Sequence, residues 1–259
     1  MKRVRNVPGL AGAILLCGAS AVLIQGASAA PPKSKKKPTA AKKAPAKKPA
    51  AQKAPVKTAS TAGMEPLQIV LPKPAFKGTP KNIKGNPELP VKRGAILVPK
   101  GTTVISRGKP VTSSDEAPII GTADLITDGD KEANEGAWVE LGPGKQWVQI
   151  DLKGKFNIYG LALWHYHGEA RVYHDVIVKV ADDADFIENV KTVYNNDQDN
   201  SSGEGLGKNR EFLEHSDGKF IDLRGKGVKG RYVRLYSKGN TSDDQNHYTE
   251  VEVYGTPAK

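Results

Sequence analysis

Residues 101–256 predict an all-β domain built from short antiparallel strands. Three observations carry that expectation. Runs whose side chains alternate between two faces recur along the segment, as half-buried strands do. Clusters of Gly, Asn and Asp separate these runs, which is turn chemistry. No stretch holds apolar residues at helical spacing over an ordinary helix length, and residues 185–190 have room for one helical turn. Many short strands in one domain argue for a sandwich or a barrel.

The N-terminal part reads differently. Lys2, Arg3 and Arg5, an apolar stretch over 10–24, and Ala27-Ser28-Ala29 have the layout of a secretory signal peptide over residues 1–29. The apolar run is short and broken by Gly18 and Gln25, which disfavours a membrane anchor. No spanning segment is expected after signal removal. Cys17 is the only cysteine, and Leu16 before it does not suit a lipoprotein site. The expected location is secreted, or periplasmic and cell-envelope, with no disulfide to staple the core.

Residues 30–63 form a Lys/Ala/Pro tether with ten lysines and no acid. Such a segment buries too little to offset its ordering entropy and is expected to be disordered and extended. The formal net charge of +11 therefore belongs to the ends: outside residues 1–63 the chain holds 26 basic and 28 acidic residues. A solvated spacer is one reading, and contact with a polyanion is the other. With no aromatics in the tether, base stacking is not on offer, and no specific nucleic-acid partner is expected. Residues 64–100, rich in proline, form an extended arm with strand candidates at 67–71 and 95–98, docked as an edge.

Within the domain the clearest strands are 146–152, 158–166, 173–180 and 220–223. A closing pair follows at 230–236 and 248–255. Val233 and Leu235 share one face, and Val251 and Val253 do the same on the partner strand. The polar loop 237–247 between them is too long for a tight hairpin, and loops of that kind carry function more often than stability. Trp138, Trp147 and Trp164 offer large apolar area to a core without disulfides.

Five motifs in order resemble the discoidin family, also called coagulation factor 5/8 type C domains. They are Gly108-Lys109-Pro110-Val111-Thr112-Ser113-Ser114, Ile126-Thr127-Asp128-Gly129-Asp130, Trp147-Val148-Gln149-Ile150-Asp151-Leu152, Gly230-Arg231-Tyr232-Val233-Arg234-Leu235, and Tyr248-Thr249-Glu250-Val251-Glu252-Val253-Tyr254-Gly255. The resemblance covers most of residues 101–255. It implies a galactose-binding-like jelly-roll β-sandwich, and the missing disulfide is more similar to bacterial carbohydrate-binding relatives. It also implies a structural calcium completed by Glu250, and an arginine at the position of Arg171 in sugar-binding members. Residues 131–137 depart from the family spacing after the Asp128 turn.

Candidate sites follow. Asp128 and Asp130 flank Gly129 in a bent loop that suits calcium, which takes six to eight oxygens; a plain Asx turn is the alternative. The acidic run 195–201 lacks the glycine and glutamate of an EF-hand loop and reads as part of a long polar insertion. His165 and His167 share a strand face, and a transition-metal site with His174 lacks further ligands. A sugar site needs an aromatic plate and planar polar groups. His165, His167, Arg171, Tyr173, Asn240, Asp243, Asp244, Asn246 and His247 supply those types. Glu140, Asp151, Glu169, Glu214 and Glu252 show no spacing that pairs two carboxylates for glycoside hydrolysis, and Asp151 and Glu252 read as outward strand residues. The sequence thus points to a non-catalytic binding protein for a carbohydrate or envelope glycan. The alternatives are an adhesion module with a protein partner and an accessory module of a glycan-degrading enzyme.

Overall fold

The computed structural model describes residues 62–78, 80, 83 and 85–259. The expected signal peptide, and the tether up to residue 61, lie outside the described residues. No helix among the described residues is long and apolar enough to cross a membrane.

Strands β1 (Met64–Pro66) and β2 (Leu97–Pro99) pair with each other in a small antiparallel sheet. The remaining strands are β3 (Thr103–Val104), β4 (Val111–Ser113), β5 (Val139–Leu141), β6 (Gln146–His165), β7 (Ile177–Ala181), β8 (Lys191–Asn195), β9 (Lys219–Asp222), β10 (Val228–Ser237) and β11 (Asn246–Pro257). The sequence suggested two strands at 146–152 and 158–166; they are one continuous strand of 20 residues. Its first half pairs with β4, β10 and, through β10, with β7 and β8. Its second half pairs with β9 and β11, and β11 carries β3 and β5 on its other edge. One strand thus feeds both layers of a discoidin-like jelly-roll sandwich.

The corner of β6 has a local cause. Lys153 adopts φ 63°, and the register opposite slips between Gly230 and Tyr232, which is how an extra residue bends a strand. Asp151 anchors the bend: its carboxylate accepts Nε and Nη2 of Arg231 at 2.8 and 3.0 Å, and the Lys153 amide at 2.8 Å. The Arg231 bonds hold the Asp151 carboxyl well below the usual carboxylate range.

The main core lies between the layers. Ile150, Leu152, Leu161, Leu163, Val178, Val180, Val233, Leu235, Val251 and Val253 meet there, so the period-two faces of the closing pair fall as expected. Trp164 lies on the opposite face yet is fully buried. The arm explains this, because Leu67 and Ile69 pack with Val104 and Phe220 over Ala162, Trp164 and Tyr254. The arm therefore covers a sheet face as well as adding the β1–β2 pair. Trp147 is only half-buried and stacks on the Arg234 guanidinium at 4.5 Å, so it leaves the core. Glu252, expected outward, is 3% exposed and pairs with Lys131 at 2.7 Å.

Two local expectations change. Strand 173–180 begins only at Ile177, because the amide and carbonyl of His174 bond instead to the closing loop at Gly239 and Lys238. Residues 185–190 form no helix: the Asp183 carboxylate collects the amides of Asp185, Ile187 and Glu188. The one helix among the described residues is a short 3-10 turn at Ala123–Thr127, which buries Ile126 and Thr127 beneath the Asp128 loop.

Candidate functional site

The ends of β5, β6 and β11 meet the segment 166–173 and the loop 238–245. This is where several of the expected residues converge. Arg171 is clamped from both sides: Nε donates to Glu169 Oε1 and Nη1 to Asp243 Oδ2, each at 2.8 Å. Its guanidinium lies 4.9 Å over the Tyr166 ring. The Trp138 ring leans on Tyr166 with centroids 4.6 Å apart, and both aromatics are half-buried. Gly168 makes room for this pair, since a Cβ there would lie 2.3 Å from the Tyr166 hydroxyl. Beside them Glu140 is held by its backbone, which exchanges bonds with Ile119 and Ile120.

Beneath this surface sits a polar relay. The Tyr173 hydroxyl lies 3.0 Å from His247 Nδ1, and His247 Nε2 lies 3.4 Å from Glu140 Oε2. Burial lowers the His247 pKa to about 4 and raises that of Tyr173. Both groups are therefore neutral near pH 7; the Glu140 carboxylate beside Nε2 is an acceptor, which assigns the ring proton to Nε2 and leaves Nδ1 to accept from the Tyr173 hydroxyl. Burial also raises the Glu140 carboxyl, with the nearby Asp243 adding to it.

Other expected ligand groups are turned into the protein. His165 is fully buried, stacked on Tyr173 at 4.3 Å, with Nδ1 2.5 Å from Glu214 Oε1. His167 is fully buried and its Nε2 meets the Lys131 carbonyl at 2.9 Å. Neither imidazole reaches the surface, and each keeps one buried ring nitrogen without a partner. Asn246 is fully buried: it accepts from Ser237 and Gly239 and donates to the Gly142 and Gly144 carbonyls. Asn240 ties the loop to itself through Ser242, Asp243 and Gln245. Asp244 is exposed and stands outside the clamp. The aromatic pair beside Arg171 is Trp138 and Tyr166, read from sequence as core and strand residues. The signal for them was the break at Gly168-Glu169, which ends the strand just past Tyr166.

The calcium candidates fit a cation only in part. Glu250 is fully buried; Oε2 accepts the Gly129 amide at 3.0 Å and Oε1 has no partner. Burial raises its pKa to about 8. An unpaired buried oxygen suits a cation. The Asp128 and Asp130 carboxylates, however, each accept an amide of their own loop, at 2.7 and 2.9 Å. The Arg107 guanidinium already stands over Gly129, bonded to the Asp128 carbonyl at 2.8 Å. Glu250 fits the role, and the two aspartates do not converge on it with their side chains.

The F5/8 type C domain family matches residues 110–251, more than half of the chain. The chain belongs to that family. Solved structures similar to this F5/8 type C domain include a Streptococcus pneumoniae fucose binding module, 19% identical over 59% of this chain and 97% of that one, with a TM-score of 0.42. Another is the family 32 CBM of Clostridium perfringens NanJ in complex with galactose, 10% identical over 59% of this chain and 98% of that one, TM-score 0.42. A family 89 glycoside hydrolase from Clostridium perfringens is 21% identical over 60% of this chain, TM-score 0.44. The chain spans 15% of that hydrolase's length. A search of the curated proteins found no match. In this F5/8 type C domain the candidate site groups the Trp138–Tyr166 pair, the clamped Arg171 and the carboxylates of Glu140, Glu169 and Asp243.

Proposed function

We propose that the chain is an exported, non-catalytic carbohydrate-binding protein whose ligand sits on Trp138 and Tyr166. One observation carries the reading: two half-buried aromatic rings lie beside an arginine whose rotamer is set by Glu169 and Asp243. A sugar presents an apolar C–H face to such rings and hydroxyls to such a planar polar rim. Preorganisation favours binding because little side-chain entropy is lost. The reading as a binder also follows from what the carboxylates do. Glu169 and Asp243 are held on Arg171, and the fully buried Glu214 bonds His165 through Oε1, out of reach of the surface.

Export rests on residues 1–29, and the Lys-rich tether would add contact with an anionic envelope polymer. A cation at Glu250 would be structural, since it would neutralise a buried carboxylate away from the aromatic pair. A glycan array with the full mature chain, with calcium present, tests the reading. Binding that falls at least tenfold in Trp138→Ala, with the fold retained, is expected. No binding to any neutral or acidic glycan would overturn it.

A further inference from the structure

The arm leaves one ladder unfinished. β1 and β2 pair over Met64–Pro66 and Leu97–Pro99, and the Leu67 amide adds a last bond to the Ile96 carbonyl at 2.7 Å. Residues 67–71 have the composition of a strand, yet the pairing stops there. Among the described residues, no backbone group of residues 68–71 and none of residues 91–95 makes a hydrogen bond. The two segments stand apart instead. Between them lies a cavity of about 320 Å³, walled by Gln68, Ile69 and Leu71 on one segment and by Lys92, Gly94 and Ala95 on the other. A further cavity of about 360 Å³ shares residues 93–96 with it and reaches Phe212, His215 and Phe220. Segment 91–95 is nevertheless pinned. Glu88, just before it, exchanges backbone bonds with Glu211 and Leu213 at 2.7 and 2.9 Å. Arg93 Nη2 donates to the Gly218 carbonyl at 2.6 Å. An edge that is held in place with its amides and carbonyls free is a template for another strand.

The side chains and the charge describe what would cover it. Val70, Leu71, Leu89 and Val91 are exposed, Val91 by 80%, and a run of apolar side chains along a free edge marks an interaction surface. Backbone donors and acceptors in a row call for an extended polypeptide, whose alternate apolar side chains suit the two cavities. Residues 64–100 hold seven basic and two acidic residues. Neither acid is left to offset that excess: Glu65 accepts the Gly101 amide at 2.8 Å, and Glu88 is bonded to Lys219. Lys92 stands exposed in the cavity wall. The occupant is therefore acidic. The arm or the tether of a second copy carries the same sign as this edge and would be repelled. The outer strand β8 of a second copy is tied at the Asn195 carbonyl by the amides of Lys208 and Asn209.

We propose that the arm is a docking edge for an extended, acidic segment of another protein. The segment pairs its backbone with residues 91–95, seats apolar side chains in the two cavities and turns its carboxylates towards Lys92, where a charge-assisted bond is stronger than a neutral one. The proposal uses no residue of the aromatic site and does not rest on the sugar reading.

The probe is a short synthetic peptide of alternating glutamate and valine, titrated into the isotope-labelled mature chain. The backbone amides of residues 91–95 are followed by NMR and hydrogen exchange. They should shift, saturate and gain at least tenfold protection. Methylating every second amide nitrogen of the peptide should weaken binding at least tenfold in one phase and little in the other, since alternate amides of a strand face one partner. The peptide with lysine in place of glutamate should bind at least tenfold more weakly. Lys92→Glu and Val91→Asp should each weaken the acidic peptide several-fold, at unchanged melting temperature and unchanged glycan binding. Amides of residues 91–95 that stay still would overturn the proposal. So would equal binding of the two methylated forms, an equal response to polyphosphate, which would mean plain polyanion contact, or a dimer that protects the same amides without peptide. Absence of all glycan binding would overturn the preceding section and leave this proposal standing.

Discussion

The Tyr173 hydroxyl lies 3.0 Å from Nδ1 of His247, and the Glu140 carboxylate on the other side of the ring makes it the donor. The Nε2 proton faces Glu140 directly under the aromatic surface. The pair has a measurable consequence for stability. His247 has a folded pKa of about 4 against 6.5 for the free side chain. The unfolded chain therefore binds more protons between those values. Stability should be fully present above pH 6.5 and fall as the pH drops towards 4, by about 3 kcal/mol. Urea unfolding across that window checks it, and His247→Gln should flatten the slope. An unchanged slope in that variant would assign the acid sensitivity to another group.

Glu250 should act in the opposite sense. Its folded pKa of about 8 lies above the ordinary 4.5, so its contribution is greatest below pH 4.5 and is lost as the pH rises through 8. Without a bound cation the loss is roughly 5 kcal/mol at most. In a chelator the midpoint should fall between pH 5 and 8, and Glu250→Gln should remove that fall. Calcium should raise the midpoint of the parent and not of the variant. No response of the parent to calcium would leave Arg107 as the only counter-charge to the loop.

Gly168→Ala tests the aromatic surface without touching a binding group. The added methyl would meet the Tyr166 hydroxyl at 2.3 Å, so the ring must shift off Trp138 and Arg171. Glycan affinity should drop about tenfold, near 1.4 kcal/mol, with little change in melting. Unaltered affinity would mean that Tyr166 is not part of the binding plate.

Asn246→Ala should cost stability more than any other change in the closing loop. Four bonds from one fully buried side chain hold Ser237, Gly239, Gly142 and Gly144 together. Leaving such partners unsatisfied costs about 1–3 kcal/mol each, partly relieved by relaxation, so a loss of about 3 kcal/mol in urea is expected. Asn246→Asp, which keeps the acceptor and replaces the donor, should lose nearly as much. A near-neutral result in both would show that water substitutes for the amide.

Much of the architecture was legible along the chain. Period two along 230–236 and 248–255 was enough to sort Val233, Leu235, Val251 and Val253 to one side, because a strand obeys that rule wherever it lies. The five ordered motifs pointed to the discoidin-like sandwich, to which the chain belongs. The site was legible in part. Arg171, Tyr173, Asp243 and His247 do come together. His165, His167 and Asn246 do not reach the surface, although their residue types suit a ligand. Trp138 and Tyr166 were passed over because large aromatics are usually core.

The sequence by itself thus determined the all-β class, the closing strand pair and the family, since these depend on neighbours within a few residues and on ordered motifs, while several strand bounds, such as the unbroken Gln146–His165, did not follow from it. Only the tertiary structure decided which polar groups face solvent. That depends on long-range cover: the arm over Trp164, Glu214 beside His165, and the Lys131 carbonyl beside His167. Alternation along a strand says which side chains share a face, and it cannot say which face another segment will bury.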